Sequence, residues 1–125
     1  MDREDELLKA CEIGDGDKVF SLLGDYPNIV DCANKHGMTP LIVAASKGYK
    51  DVVIKLLAGG ASIDRKDILG CTALIRASSK GHHEVVDFLL AIGADGSIQD
   101  YLKRTYIDVK DKYVKPSRDG FYVKG

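Results

Sequence analysis

Few side chains in this sequence have types that do chemistry. Three histidines stand at His36, His82 and His83, and three cysteines at Cys11, Cys32 and Cys71. His82 and His83 are adjacent and could hold a metal, but adjacent side chains on a helix diverge, so the pair reads as structural or solvated. The cysteine count is odd and no C-x-x-C pair occurs. The start, MDREDELLKACE, is acidic rather than a basic stretch leading into an apolar run, so no secretory signal is read. Reduced thiols and an intracellular protein follow from that, cytoplasmic or nuclear. A redox role would need a lowered thiol pKa, and nothing in the sequence shows one. No G-x-S-x-G, no Gly-rich phosphate loop closing on Lys-Ser or Lys-Thr, and no H-E-x-x-H is present. No nucleophile, base and pocket assemble, so the chain reads as non-catalytic, without metal, cofactor or small-molecule substrate.

Composition supports a single soluble domain. At 125 residues the chain can bury roughly two thirds of its unfolded surface. It is 45% apolar and 30% charged, and no apolar run nears the ~20 residues of a membrane span. The net charge of −1 argues against a nucleic-acid binder. The distribution is uneven. Residues 1–17 set seven acids against Arg3 and Lys9, a net of −5, while residues 103–125 set seven bases against three acids, a net of +4.

The elements that must position these side chains repeat every 33 residues. HGMTPLIVAASKGYKDVVIKLLAGGASID and LGCTALIRASSKGHHEVVDFLLAIGADGS align Gly37 with Gly70, Thr39 with Thr72, and Leu41 with Leu74. The alignment continues with Ala44 and Ala77, Gly48 and Gly81, Val52-Val53 and Val85-Val86, and Leu56-Leu57 and Leu89-Leu90. Upstream, LLKACEIGDGDKVFSLLG keeps the layout at an offset of 34. Thr39 and Thr72 stand where a hydroxyl can cap a helix, and Pro40 suits the first helical position. Gly48 and Gly81 end the short helices. Val52, Val53, Leu56 and Leu57 form the apolar stripe of a second helix. One such unit cannot bury its apolar face alone; stacked units can.

The pattern resembles the ankyrin repeat, G-x-T-P-L-x-x-A-A-x-x-G-(H)-x-x-V-V-x-x-L-L-x-x-G-A. The resemblance runs from about Leu7 to Val109. It implies an all-α repeat solenoid of helix-turn-helix units joined by β-hairpin-like loops, and a non-catalytic module that binds other proteins. The units are read as an N-terminal capping repeat at 2–33, repeats at 34–66 and 67–99, and a degenerate C-terminal cap at 100–113. Residues 114–125 are read as a mobile tail. In the cap, Lys103 takes the Gly position and Tyr106 the Pro position. The family usually has His after T-P-L, where this chain has Ile42 and Ile75. The hydrogen bond that His makes is therefore either lost here or replaced by packing.

The resemblance also places a partner site at the hairpin tips and the exposed ends of the short helices. These positions are Lys35, His36 and Met38; Lys66, Ile68, Leu69 and Cys71; Gln99, Tyr101, Leu102 and Arg104; and Glu12-Ile13, Ser46-Lys47 and Ser79-Lys80. The apolar tip residues point to an interface ringed by a basic rim, hence to a protein partner with an apolar strip and acidic surroundings. The competing reading folds Ile68 and Leu69 inward and uses Tyr101 and Leu102 to seal the cap. Arg76 replaces Val43 of the preceding unit and either faces the concave side or pairs with an acid such as Asp108. Cys11 is expected to be buried, and Cys32 and Cys71 to be exposed.

The preferred function is a monomeric adaptor, inhibitor or regulatory subunit. The alternative is salt-dependent head-to-tail association of the acidic and basic ends. Nucleic-acid or membrane binding by the basic, aromatic residues 110–125 ranks below a solvated tail resting on the last repeat.

Overall fold

The computed structural model describes residues 2–110. Six helices run in order: α1 (Arg3–Ile13), α2 (Gly16–Asp25), α3 (Pro40–Lys47), α4 (Lys50–Ala58), α5 (Ala73–Ser79) and α6 (His83–Ala91). A short 3-10 turn (Pro27–Ile29) follows α2. There are no strands among the described residues, as an all-α solenoid requires.

Local chemistry sets the helix starts. The Asp2 carboxylate accepts from the Asp5 N–H, and Glu4, Asp5 and Glu6 add negative charge to the first turn, where the helix dipole favours it. Asp15 caps α2 through the Lys18 N–H. The hydroxyls of Thr39 and Thr72 accept from the Ile42 and Ile75 N–H groups at 3.3 and 3.2 Å, and Pro40 opens α3. Both threonines are therefore caps, as the repeat pattern predicts.

The helices form two layers. α1 packs on α3 and α3 on α5; behind them α2 packs on α4 and α4 on α6. Ala10, Ala44 and Ala77 hold the same position in the three inner helices and are buried, so the helices approach closely. Between the layers lie Leu7, Val19, Leu41, Val53, Leu56, Leu74, Val85 and Leu89. Carboxylates also stitch neighbouring units. Asp31 accepts from the Ser62 N–H and hydroxyl, and Asp64 from the Asp95 N–H.

Among the described residues the last unit shows one turn. Val109 N–H donates to the Thr105 carbonyl, and the Asp108 carboxylate accepts from the Thr105 N–H, a capping arrangement. Val109 is buried against Cys71 and Ile75, and the Ser78 hydroxyl donates to the Tyr106 carbonyl at 2.6 Å. This packing corrects the expectation for Cys71, which is buried rather than exposed; Cys32 is half-buried and Cys11 buried. Residues 111–113 of the cap, the mobile-tail reading of 114–125 and the basic–aromatic reading of 110–125 beyond Lys110 lie outside the described residues.

Candidate functional site

Three tips project from the front of the stack, at residues 34–38, 67–71 and 100–104. Each is built alike. Asn34 N–H donates to the Met38 carbonyl, Asp67 N–H to Cys71 and Asp100 N–H to Arg104, at 2.9–3.0 Å. A side-chain oxygen then fills each loop. Asn34 Oδ1 accepts from the N–H groups of His36 and Met38, Asp67 Oδ1 from Leu69 and Cys71, and Asp100 Oδ1 from Leu102 and Arg104. Short polar side chains close such turns by standing in for a backbone acceptor.

These three residues answer the question raised by Ile42 and Ile75. Both isoleucines are buried in the core. Order at the tips comes instead from Asn34, Asp67 and Asp100. Their spacing of 33 was a readable signal that the motif comparison, which begins at the Gly, passes over.

The tips also bond to one another. Ile68 N–H donates to the His36 carbonyl at 3.1 Å, and Tyr101 N–H to the Leu69 carbonyl at 3.0 Å. The platform is therefore continuous across three units. Its close approach explains two glycines. A Cβ on Gly70 would stand 2.7 Å from Tyr101 Cδ1 and 2.8 Å from its backbone N, and one on Gly37 would stand 3.0 Å from Ile68 N. Lys103 holds the same place in the last tip at φ 65°, with no further tip above it among the described residues.

Asp67 and Asp100 are buried carboxylates, and each has an arginine. Asp67 Oδ2 receives Arg76 Nε at 2.8 Å and Nη2 at 2.7 Å; Asp100 Oδ2 receives Arg104 Nε at 2.9 Å. This settles Arg76: its acid is Asp67, and not Asp108, which is bound to Thr105. Burial pushes the Asp100 carboxyl up, but hydrogen bonds from Arg104 and Leu102 and the arginine charge outweigh it, and the carboxyl sits below its ordinary range.

The apolar tip side chains point outward. Ile68 and Leu69 are each 58% exposed, Tyr101 65% and Leu102 73%. They neither fold inward nor seal the cap, a task that falls to Val109 and Tyr106. Met38 departs from the expected strip, since it is half-buried and packs on the core. Lys35, His36, Lys66 and Gln99 are exposed around the tips, and Lys66 lies 5.7 Å from the Tyr101 ring centroid. At the ends of α3 and α5, Lys47 and Lys80 are exposed, while Ser46 and Ser79 are half-buried. The only acids in the three tips are Asp67 and Asp100, both neutralised by arginine, so the exposed charge of the tips is positive.

The remaining chemical candidates have structural surroundings. His82 Nε2–H donates to the Ser46 carbonyl at 2.9 Å, joining the end of α3 to the α5–α6 turn. Burial pushes the Cys11 thiol up to about 12 and the Cys32 thiol up to about 11, with Glu4 and Asp2 adding to the latter; Cys71 is also raised, mainly by burial. Thiols so raised stay protonated at neutral pH and are poor nucleophiles. Among the described residues no group of three or more His, Cys, Asp or Glu is arranged to hold a metal. No helix there is long and apolar enough to cross a membrane.

Residues 7–100 match the family model for ankyrin repeats in three copies. The chain belongs to the ankyrin-repeat family. Ankyrin repeats are generic protein–protein interaction modules, and the family is typically non-catalytic. In this ankyrin-repeat chain the geometry offers a preordered surface: backbone held tip to tip, carboxylates neutralised from within, and apolar side chains displayed. Such a surface can bind without first paying the entropy of ordering its loops.

Proposed function

We propose that this chain is a non-catalytic binding module, an adaptor, inhibitor or regulatory subunit, that engages a protein through its tips and the adjoining ends of the short helices. The observation that carries this reading is the outward display of Ile68, Leu69, Tyr101 and Leu102 on a hydrogen-bonded platform. Contiguous exposed apolar side chains mark interaction surfaces, and Tyr and Arg are enriched where interfaces draw their energy. The exposed Lys35, Lys47, Lys66 and Lys80 favour a partner whose apolar strip is bordered by acids.

The test is capture from a source-cell lysate by the native chain and by a Leu69→Glu/Tyr101→Glu variant of confirmed fold. A protein held by the native chain and lost by the variant supports the reading, and its binding should weaken with salt. A protein held equally by both moves the site off the tips and overturns it.

The chain is proposed to act as a monomer. Head-to-tail continuation through the tips meets an obstacle at Lys103. Its Cβ occupies the place where Gly37 and Gly70 admit the backbone of the next tip.

A further inference from the structure

Away from the tips, the outer layer also displays apolar side chains. Phe20 of α2 is 71% exposed and Ile54 of α4 is 41% exposed. The two helices pack on each other, and the two residues hold the same place in the repeat, as Val19 and Val53 do one residue earlier. The same place in α6 is the exposed Asp87. Packed helices lie roughly 10 Å apart, so Phe20, Ile54 and Asp87 form a row across the layer at about that spacing. The core does not require this row, because Val19, Val53 and Val86 already fill it. A helix face meant only for water is polar.

The charge of this face is opposite to that of the tips. Asp17, Asp51 and Glu84 are exposed and hold one equivalent position, three residues before the row. They lie in first turns, where the helix dipole accounts for them. Asp87 lies beyond the first turn of α6 and has no such account. The lysines of α4 are already engaged: Lys55 meets Asp51 at 3.1 Å, and Lys50 lies 5.8 Å from the Phe88 ring centroid. Among the described residues, Asp17, Glu84 and Asp87 have no cation within salt-bridge distance. Two apolar side chains followed by unpaired carboxylates are thus presented to a partner.

We propose that the outer layer is a second docking surface, for a basic amphipathic helix of a partner protein laid across α2, α4 and α6. The row sets the pattern of that helix. At about 1.5 Å rise per residue, side chains seven apart stand ~10.5 Å apart on nearly one face, which matches the spacing of the outer helices. Positions i and i+7 of the partner are apolar and rest on Phe20 and Ile54. Position i+14 is Lys or Arg and meets Asp87. Flanking cations meet Asp17 and Glu84. Burial of the apolar pair is the driving force, and charge selects the sign of the partner. This surface is independent of the tips. With both occupied, the chain bridges two proteins of opposite surface charge.

The test titrates the isotope-labelled full chain with two synthetic helices of about 18 residues, long enough to hold the three positions. One carries Leu at i and i+7 and Lys at i+14 and on the flanks; the other has Glu in place of each Lys. The lysine peptide should shift amide signals of α2, α4 and α6 saturably, and the glutamate peptide should bind there at least ~10-fold more weakly. Phe20→Ser with Ile54→Ser, both at exposed positions, should weaken the lysine peptide ~10-fold with circular dichroism unchanged. Asp87→Lys should weaken it severalfold, and it decides the matter together with the peptide pair if the double variant loses its fold. Leu69→Glu with Tyr101→Glu should leave this binding as it is, so the outcome does not depend on the tips. No saturable shift below ~1 mM would overturn the proposal. So would shifts confined to the tips, equal binding of the two peptides, or undiminished binding to a folded Phe20→Ser/Ile54→Ser chain.

Discussion

Asp67 and Arg76 are joined by two contacts of 2.8 and 2.7 Å, and the carboxylate so held also closes the middle hairpin tip. One side chain thus ties a helix to the tip platform. The chain contains its own control. In the preceding unit the tip residue is the neutral Asn34, and the position of Arg76 is the buried Val43. Where the tip residue is an ionised acid, an arginine accompanies it; where it is an amide, a valine suffices.

This pairing predicts a non-additive mutant cycle. Arg76→Val leaves a buried carboxylate without its counter-charge and should lower stability by about 2–4 kcal/mol, somewhat below a fully buried pair because Arg76 is partly exposed. Asp67→Asn in that background recreates the Asn34/Val43 pair and should recover most of the loss. Chemical denaturation of the single and double variants measures the coupling. A loss in the double variant equal to the sum of the losses in the two single variants would show that the pair is not coupled.

The last tip predicts a gain in stability. Lys103 holds φ 65°, a left-handed conformation that costs a non-glycine residue roughly 1 kcal/mol. Lys103→Gly should therefore be neutral to stabilising by up to about 1 kcal/mol, since relief of strain competes with the added entropy of the unfolded chain. Gly70→Ala should do the reverse and cost about 2 kcal/mol or more, because strain at φ 81° adds to collision with Tyr101. A thermal melt of each variant decides; a tolerated Gly70→Ala would contradict the tip-to-tip packing.

Much of this architecture was legible in the sequence because repetition turns weak local signals into a register. Thr39 and Thr72, the paired Val and Leu positions and the small residues Ala44 and Ala77 read correctly, since each acts within its own unit or on an identical neighbour. Arg76 was legible only as an anomaly. Its partner lies nine residues back, across a tip whose path the pattern does not specify. Cys71 was misread because its burial depends on Val109, in the unit where the repeat decays. The outward aim of Ile68 and Leu69 was the favoured reading but only narrowly, for an apolar loop residue covers its own hairpin almost as readily as it displays itself.

The tip display predicts a separation of stability from binding. Leu69→Ser and Leu102→Ser alter side chains already in water and should change stability by no more than about 0.5 kcal/mol. Val109→Ser opens a cavity against Cys71 and Ile75 and buries a hydroxyl, and should cost about 2 kcal/mol. Denaturation midpoints compare the three. A large loss at Leu69 would mean that the tip side chains are core.

Thiol reactivity offers a check on the core. Burial holds Cys11 at about 12 and Cys32 at about 11, so the reactive thiolate is scarce in the folded protein near neutral pH. Iodoacetamide at mildly alkaline pH should modify the native chain far more slowly than the denatured chain, with Cys11 the slowest. Mass spectrometry of timed aliquots reads the order. Fast native labelling of Cys11 would show that α1 opens readily.

Asp100 sets the expected acid response. Its folded pKa lies below the unfolded value, so its contribution to stability is fully present above the ordinary aspartate range near ~4 and is lost as pH falls through the lower, folded value. Protonation there removes the charge that holds Arg104, although the oxygen can still accept from Leu102 and Arg104 N–H groups. Asp100→Asn should therefore lower stability at neutral pH and flatten the acid limb of the melting curve below about pH 4. Melting temperatures of both proteins across that range give the comparison. Parallel acid limbs would show that Asp100 contributes nothing to the pH dependence, and that the Arg104 contact is a surface pair of little weight.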